Sequence, residues 1–288
     1  MQECPATFSL FPWRFTFRAL QSVHFPVGKS GNVLRGGFGT IFRRVASKES
    51  YRRVFEPGGS GPSGLFDWPR PFVFRASHLD GKWIQAGEDF HFDLHVFLIA
   101  DPALASFVLA FTELGREGIG PRRGRAELIS VTQIGSSAAL AEAPPAPMTL
   151  SLSPIPAARI MVQFLTPTEL KGEEGILRRP EFPVLFGRAR DRVATLRSLY
   201  GEGPLSVDFR GMGERSRHVE LAKWAWQEVP AERTSSRTGQ THSIGGFVGE
   251  AEYSGNLSEF LPYLKAAEWT GVGRQTVWGK GAIRVLHC

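Results

Sequence analysis

The sequence predicts an α+β chain of two tandem ferredoxin-like (βαββαβ, RRM-like) domains, and three observations predict it. Apolar residues recur at strand and helix spacings in the order β, α, β, β, α, β. A small, nearly uncharged stretch rich in Ala, Ser and Pro interrupts that order in mid-chain. The same order then recurs, less cleanly. The expected division of the 288 residues is a first domain at 1–134, a linker at 135–148 and a second domain at 149–288.

In the first half, Phe15, Phe17 and Ala19 alternate with Arg14, Thr16 and Arg18, which marks a strand. Ser30 is a candidate cap for a helix running to about residue 45, with Val33, Leu34, Phe38, Ile41 and Phe42 on its apolar face. A Gly/Pro/Ser loop at 57–64 precedes strands at 71–76 and 89–99. Asp101 is placed to cap the next helix, with Pro102 at its first position and Leu104, Phe107, Val108, Phe111 and Leu114 on one face. A strand at 125–134 closes the unit.

In the second half a strand at 159–165 is followed by a helix carrying Phe182, Leu185, Phe186, Ala189, Val193 and Leu196. Strands are expected at 219–228 and 246–253. Asn256 and Glu259 form a capping pair for a helix with Leu257, Phe260, Leu261 and Leu264. The last strand is 282–287.

Apolar residues make up 42% and charged residues 22%, which excludes global disorder. Lys+Arg is 34 against Asp+Glu at 28, a net charge of +6, and 27 of the basic residues are arginine. Arginine is the better bidentate ligand for phosphate, so the excess leans toward an anionic partner. Each half carries +3, so no detached basic tail holds the charge. The two cysteines, Cys4 and Cys288, make neither a disulfide framework nor a thiolate metal site. The N-terminal residues show no basic region followed by an apolar one, and the most apolar stretch, 90–111, is broken by His91, Asp93, His95, Asp101 and Pro102. A cytoplasmic protein without a membrane span is expected.

The strongest local signal is Gly271-Val-Gly273-Arg-Gln-Thr-Val-Trp-Gly279-Lys-Gly281, between the last helix and the last strand. Glycines let backbone N–H groups approach phosphate oxygens, and Arg274, Thr276 and Lys280 lie among them. A flexible helix-to-strand connection is the plainer reading. With this loop go Leu34-Arg-Gly-Gly-Phe-Gly in the first helix, the Gly115–Gly124 run (GREGIGPRRG) and Phe164-Leu-Thr-Pro-Thr168. Ser235-Ser-Arg237, Gly245-Gly-Phe-Val-Gly249 and Phe260-Leu-Pro-Tyr-Leu264 follow in order. Together they resemble the CRISPR repeat-processing endoribonucleases of the RAMP superfamily over most of the chain. The resemblance implies precursor CRISPR RNA lying across a basic face of two side-by-side ferredoxin-like domains. It implies cleavage at the base of a repeat hairpin without metal or other cofactor. The substrate's 2′-OH attacks the adjacent phosphorus, leaving a 2′,3′-cyclic phosphate and a 5′-OH. The repeat hairpin is then the partner, with effector-complex subunits and a second copy of the chain as further candidates.

Such chemistry needs proton transfer and cations around the phosphorus, and His suits either proton-transfer role near neutral pH. Many members of the family carry a His just beyond the first helix. Here that stretch reads Ser47-Lys-Glu-Ser-Tyr51 and holds none. His24, close in sequence to Lys29 and Arg35, is the candidate base, with Tyr51 and Lys48 as substitutes. Arg233, Arg237 and His242 precede a strand that the family pattern puts near RNA, and with Lys29 and Arg35 they join the loop residues Gly271, Gly273, Arg274, Thr276, Gly279, Lys280 and Gly281 as candidate RNA contacts. Each has a bland alternative: a hydrogen-bonded loop His, a packed Tyr, a solvated hairpin tip.

Two other patterns are weaker. Gly28-Lys29-Ser30 imitates the end of a P-loop, but Val23 stands where that motif needs Gly. His91, Asp93 and His95 share one face of a strand and are three potential metal ligands, or simply its polar face. The rival functions are thus a non-catalytic guide-RNA-binding RAMP protein and a metal-dependent hydrolase.

Overall fold

The computed structural model describes residues 6–59, 65, 68–135, 145–172, 175–177, 179–230, 232–234, 241–243 and 245–287. The first half runs β1 (Thr7–Ala19), β2 (Val23–His24), α1 (Ser30–Val45), α2 (Lys48–Phe55), β3 (Phe72–Arg75), β4 (Trp83–Ile84), β5 (Asp89–Val96), α3 (Leu104–Glu117) and β6 (Ala126–Gln133). Its antiparallel sheet has the order β3-β5-β1-β6. Trp13, Phe15 and Phe17 point to one face, where Phe38 and Phe42 of α1 and Phe107 and Phe111 of α3 complete an aromatic core. Arg14 and Arg18 point to the other face and make bidentate pairs with Asp93 and Asp89.

The second half runs β7 (Met148–Ser151), β8 (Arg159–Thr168), β9 (Lys171–Gly172), β10 (Gly175–Ile176), α4 (Phe182–Tyr200), α5 (Phe209–Ser216), β11 (Glu220–Val229), β12 (Glu232–Thr234), β13 (Thr241–Ser243), β14 (Gly246–Ser254), α6 (Leu261–Thr270) and β15 (Ile283–His287). Its sheet order is β11-β14-β8-β15. In both halves the first and third long strands of a βαββαβ unit are central and the second and fourth are edges, so both are ferredoxin-like. β7 pairs instead with the start of β1 in the first sheet. Most of the expected linker, residues 136–144, lies outside the described residues, as does residues 60–64 of the expected Gly/Pro/Ser loop. Among the described residues no helix is long and apolar enough to cross a membrane.

Three capping assignments change. Ser30 is the first residue of α1, not its cap, and its N–H is accepted by Asp80 Oδ1 at 2.9 Å from across the chain. Asp101 does accept a bond, from Ala103 N–H at 3.0 Å, but Ala103 takes the left-handed conformation (φ 54°) and the helix begins only at Leu104, leaving Pro102 outside it. Asn256 turns back on Ser258 N–H at 3.4 Å, Glu259 makes a bidentate pair with Arg215, and α6 starts at Leu261.

The two halves are clasped at the C-terminal end of α6. Its last carbonyls need partners. Arg75 Nη2 donates to the Glu268 and Trp269 carbonyls at 3.1 and 3.2 Å, and the His95 ring Nδ1 donates to Trp269 at 2.9 Å. Arg192 of α4 donates to Thr270 at 2.9 Å. Cations at a helix C-terminus also oppose its dipole. His95 is 5% exposed, and burial, reinforced by Arg75, lowers its pKa from 6.5 to about 3, with Asp93 opposing. The folded chain therefore holds a neutral ring while the unfolded chain takes up a proton below about pH 6.5. Stability contributed by neutral His95 should fall as pH drops through that window and level off near pH 3. The loss is up to about 5 kcal/mol. His95→Asn keeps a donor and removes the titration, so denaturant unfolding from pH 7 to pH 4 should show a shallower decline than wild type; parallel curves would refute the assignment.

Candidate RNA interface and active site

The glycine-rich loop of the second half sits on the N-terminus of α1 in the first. Thr276–Trp278 form a short 3₁₀ turn. A Cβ on Gly31 would collide with the Trp278 carbonyl, so helix and turn are in backbone contact. The Arg35 guanidinium lies 5.7 Å from the Trp278 ring centroid. Lys280 Nζ donates to the Gly28 carbonyl at 3.3 Å, and Lys280 is only 6% exposed. Burial pushes its pKa down, against the nearby Asp80.

The glycines serve the loop's own folding. Val272 N–H donates to Gly281 O at 2.9 Å, Gly281 N–H to Pro167 O at 3.1 Å, Gly279 N–H to Thr276 O at 3.0 Å and Arg274 N–H to Glu169 O at 3.3 Å. Gly281 (φ 66°) and Gly273 (φ 77°) leave no room for a Cβ, which would strike the Val272 and Glu169 carbonyls respectively. Gly271 ends α6 with φ 74°, Gly279 ends the 3₁₀ turn with φ 79°, and Thr276 is buried. The expected phosphate cradle is thus largely spent on internal bonds. Arg274 is exposed but paired with Glu169 at 2.7 Å, and Lys280 bridges the halves rather than facing solvent. Lys280→Met should lower stability by about 1 kcal/mol, the worth of a lost hydrogen bond. It should leave the salt dependence of RNA binding unchanged, read by titration at several salt concentrations; a slope lowered by about one ion would restore Lys280 as a phosphate contact.

Beside α1 lies a different arrangement. His24 on β2 pairs with Trp83 on β4, and their rings stack at 4.2 Å and 18°. The Arg122 guanidinium stands 4.7 Å from the same Trp83 ring. The turn carrying Arg122 closes through the Ile119–Gly124 bridge, and Gly120 rests against the His24 carbonyl where no side chain fits. Lys29, Lys82, Arg122, Arg123 and Arg125 are all exposed around it, and Trp83 is 45% exposed. An exposed ring among cations suits stacked bases and phosphates. Sequence reasoning missed Trp83 and Arg122. Their signals were Gly81-Lys-Trp83, a lone Trp in a polar hairpin, and Pro121-Arg-Arg123 inside the glycine run.

Lys48 and Tyr51 do not join His24. They lie on α2, beyond the far end of the 16-residue α1, about 24 Å along the helix axis from its loop-covered start. Lys48 is exposed, while Tyr51 stacks on Phe55 at 5.4 Å and carries Arg43 over its ring at 5.8 Å. Arg233 and His242 are register partners in the β12–β13 hairpin, and Arg237 lies outside the described residues.

The strand triad does not suit a metal. His91 stacks on His78 at 4.6 Å, Asp93 is held bidentately by Arg14, and His95 is bonded to Trp269. Among the described residues no group of three His, Cys, Asp or Glu could hold a metal ion.

Residues 162–283 match the family model described as CRISPR-associated endoribonuclease Cas6, and residues 8–145 match one described as an N-terminal domain. No curated protein sequence matches the chain. The fold is that of several solved structures. A Thermus thermophilus Cas6 in its product complex superposes with a TM-score of 0.61 at 18% identity, over 96% of this chain and 99% of that one. A partial Cas6-RT-Cas1–Cas2 complex gives 0.63 at 11% identity, over 99% of this chain and 47% of that one. A RAMP protein described as binding different RNA substrates gives 0.51 at 10% identity, over 96% and 100%.

Proposed function

We propose that the chain is a protein of the CRISPR repeat-processing Cas6/RAMP type, a reading supported by the Cas6 family match over residues 162–283 and the shared fold, and that it is an endoribonuclease cutting precursor CRISPR RNA within the repeat. The observation that carries the reading is the His24–Trp83–Arg122 stack, set in exposed cations beside the loop-covered start of α1. His24 supplies the group that moves a proton at the attacking 2′-OH. Lys29 and Arg122 meet the charge that grows on the phosphorane oxygens. The 2′-O–P bond forms, the P–O5′ bond breaks and the 5′-oxygen takes a proton, giving a 2′,3′-cyclic phosphate and a 5′-OH. None of these steps draws on a metal ion.

The RNA repeat is the partner, and other Cas subunits are expected to join it. The second reading, guide-RNA binding without cleavage, is favoured by one observation: the segment after α1 holds no His, and its Tyr51 is occupied in packing. Incubation of the protein with its cognate repeat RNA in EDTA, with the product ends identified, decides between them. Cleavage with cyclic-phosphate and 5′-OH ends supports the nuclease. Tight binding without cleavage supports the second reading, and cleavage lost only in EDTA requires a metal-dependent enzyme.

A further inference from the structure

A second basic concavity lies on the other side of the glycine-rich loop. It is a cleft of about 610 Å³ between the segment before β3, the helix α4 and residues 273–277 of the loop. Five cationic side chains line it, Arg70, Lys171, Arg188, Arg192 and Arg274, against two acids, Glu169 and Asp191. Both acids are already engaged: Glu169 by Arg274 at 2.7 Å, and Asp191 by Arg190, which does not line the cleft. Arg188 is anchored through Nε and Nη2 on the Lys171 carbonyl at 3.0 and 2.6 Å, so its guanidinium is held in place at the rim. Arg192 is anchored through Nε on Thr270. Burial, with Arg75 nearby and Tyr200 opposing, pulls Arg192 down to about 9. Arg192 and Arg75 repel each other, and an anion entering the cleft would offset that repulsion. Planar guanidinium groups match phosphate geometry. The opposite wall is apolar. Trp68 is pinned by Nε1–H donating to the Leu65 carbonyl at 3.2 Å and meets Tyr200 edge-on at 6.5 Å.

Phosphate-binding cations facing an aromatic wall describe a nucleotide site, and the volume suits one ligand of that size rather than a duplex. The cleft is also next in line to the His24 patch. Thr276 and Val277 line it, while the following Trp278 and Lys280 rest against the start of α1. We infer that this cleft binds an unpaired nucleotide of the RNA outside the repeat hairpin, its phosphates on Lys171, Arg188 and Arg192 and its base against Trp68. The inference rests on the nuclease reading for the identity of the RNA, though not for the chemistry of the site.

The test compares two RNAs, the repeat hairpin alone and the same hairpin with single-stranded extensions, on wild type and on the double variant K171Q/R188Q. Both substituted side chains are exposed, and matching thermal unfolding confirms the fold. For the extended RNA, affinity should fall about tenfold and the salt slope should drop by roughly 1.4, the value for two phosphate contacts on a single strand. For the hairpin alone neither should change. Trp68→Leu should weaken the extended RNA by a further factor of about ten without altering the slope. Equal losses on both RNAs, or none on either, would overturn the inference. If wild type ignores the hairpin altogether, the nuclease reading falls, and a free single-stranded oligonucleotide then reads the cleft. Its binding lost in the double variant supports the site, and its binding retained refutes it.

Discussion

Replacing the single 2′-OH at the cleaved nucleotide by hydrogen should stop cleavage completely while leaving RNA affinity within about twofold, because one hydroxyl among many contacts carries little of the binding. The attacking oxygen would be gone, and no protein group replaces it in a reaction that ends in a cyclic phosphate. In the proposed mechanism Lys29 and Arg122 act on the phosphate, which the change leaves intact. The measurement is a single-turnover time course on the full-length and the 2′-deoxy repeat, with filter binding on both. Cleavage of the deoxy substrate at the ordinary rate would mean that water or a protein side chain attacks, and the mechanism would be discarded.

His24→Ala should lower the single-turnover rate by about 10²–10⁴, the usual worth of general acid–base catalysis. Affinity should barely move, because Trp83, Arg122 and the surrounding cations remain. The stack gives the prediction its physical content. With its ring stacked on Trp83 at 4.2 Å and 18°, the imidazole plane is held before substrate arrives. A loss below threefold would take His24 out of the chemistry and leave its neighbourhood a binding surface. Lys48 and Tyr51 are not ready replacements, since α1 separates them from that surface.

What could be read from the sequence followed the strength of apolar periodicity. α1 was legible from Leu34, Phe38, Ile41 and Phe42, all buried on one face, and β1 from Phe15 and Phe17 alternating with arginines. α2 was not, because Lys48–Phe55 buries only Val54 and Phe55 and depends on the Ser47 hydroxyl accepting Ser50 N–H at 3.0 Å. α5 is equally polar and buries only Met212 and Ser216. The glycine-rich loop shows the limit for sites. A glycine needed to accept a neighbouring carbonyl, as Gly281 does, and a glycine needed to admit a phosphate look identical in sequence. Lys280 likewise reads as a surface cation until its burial against Gly28 is seen. Trp83 and Arg122 were invisible because their meeting depends on the β2–β4 pair and a turn some forty residues later.

β1 belongs to both cores. Phe8 and Leu10 at its start pack with the second half's Ile160, Leu185 and Phe186, whereas Trp13, Phe15 and Phe17 pack with the first half's helices. The same opening residues pair with β7, on the far side of the chain's midpoint. During synthesis the first half therefore leaves the ribosome with two of its earliest apolar side chains uncovered and one sheet edge open. They stay so until more than half of the chain has followed. A nascent chain halted near residue 145 should consequently be sticky and protease-sensitive at its own N-terminus, although a complete βαββαβ unit has been made. Separately expressed halves should dissolve and fold better together than apart.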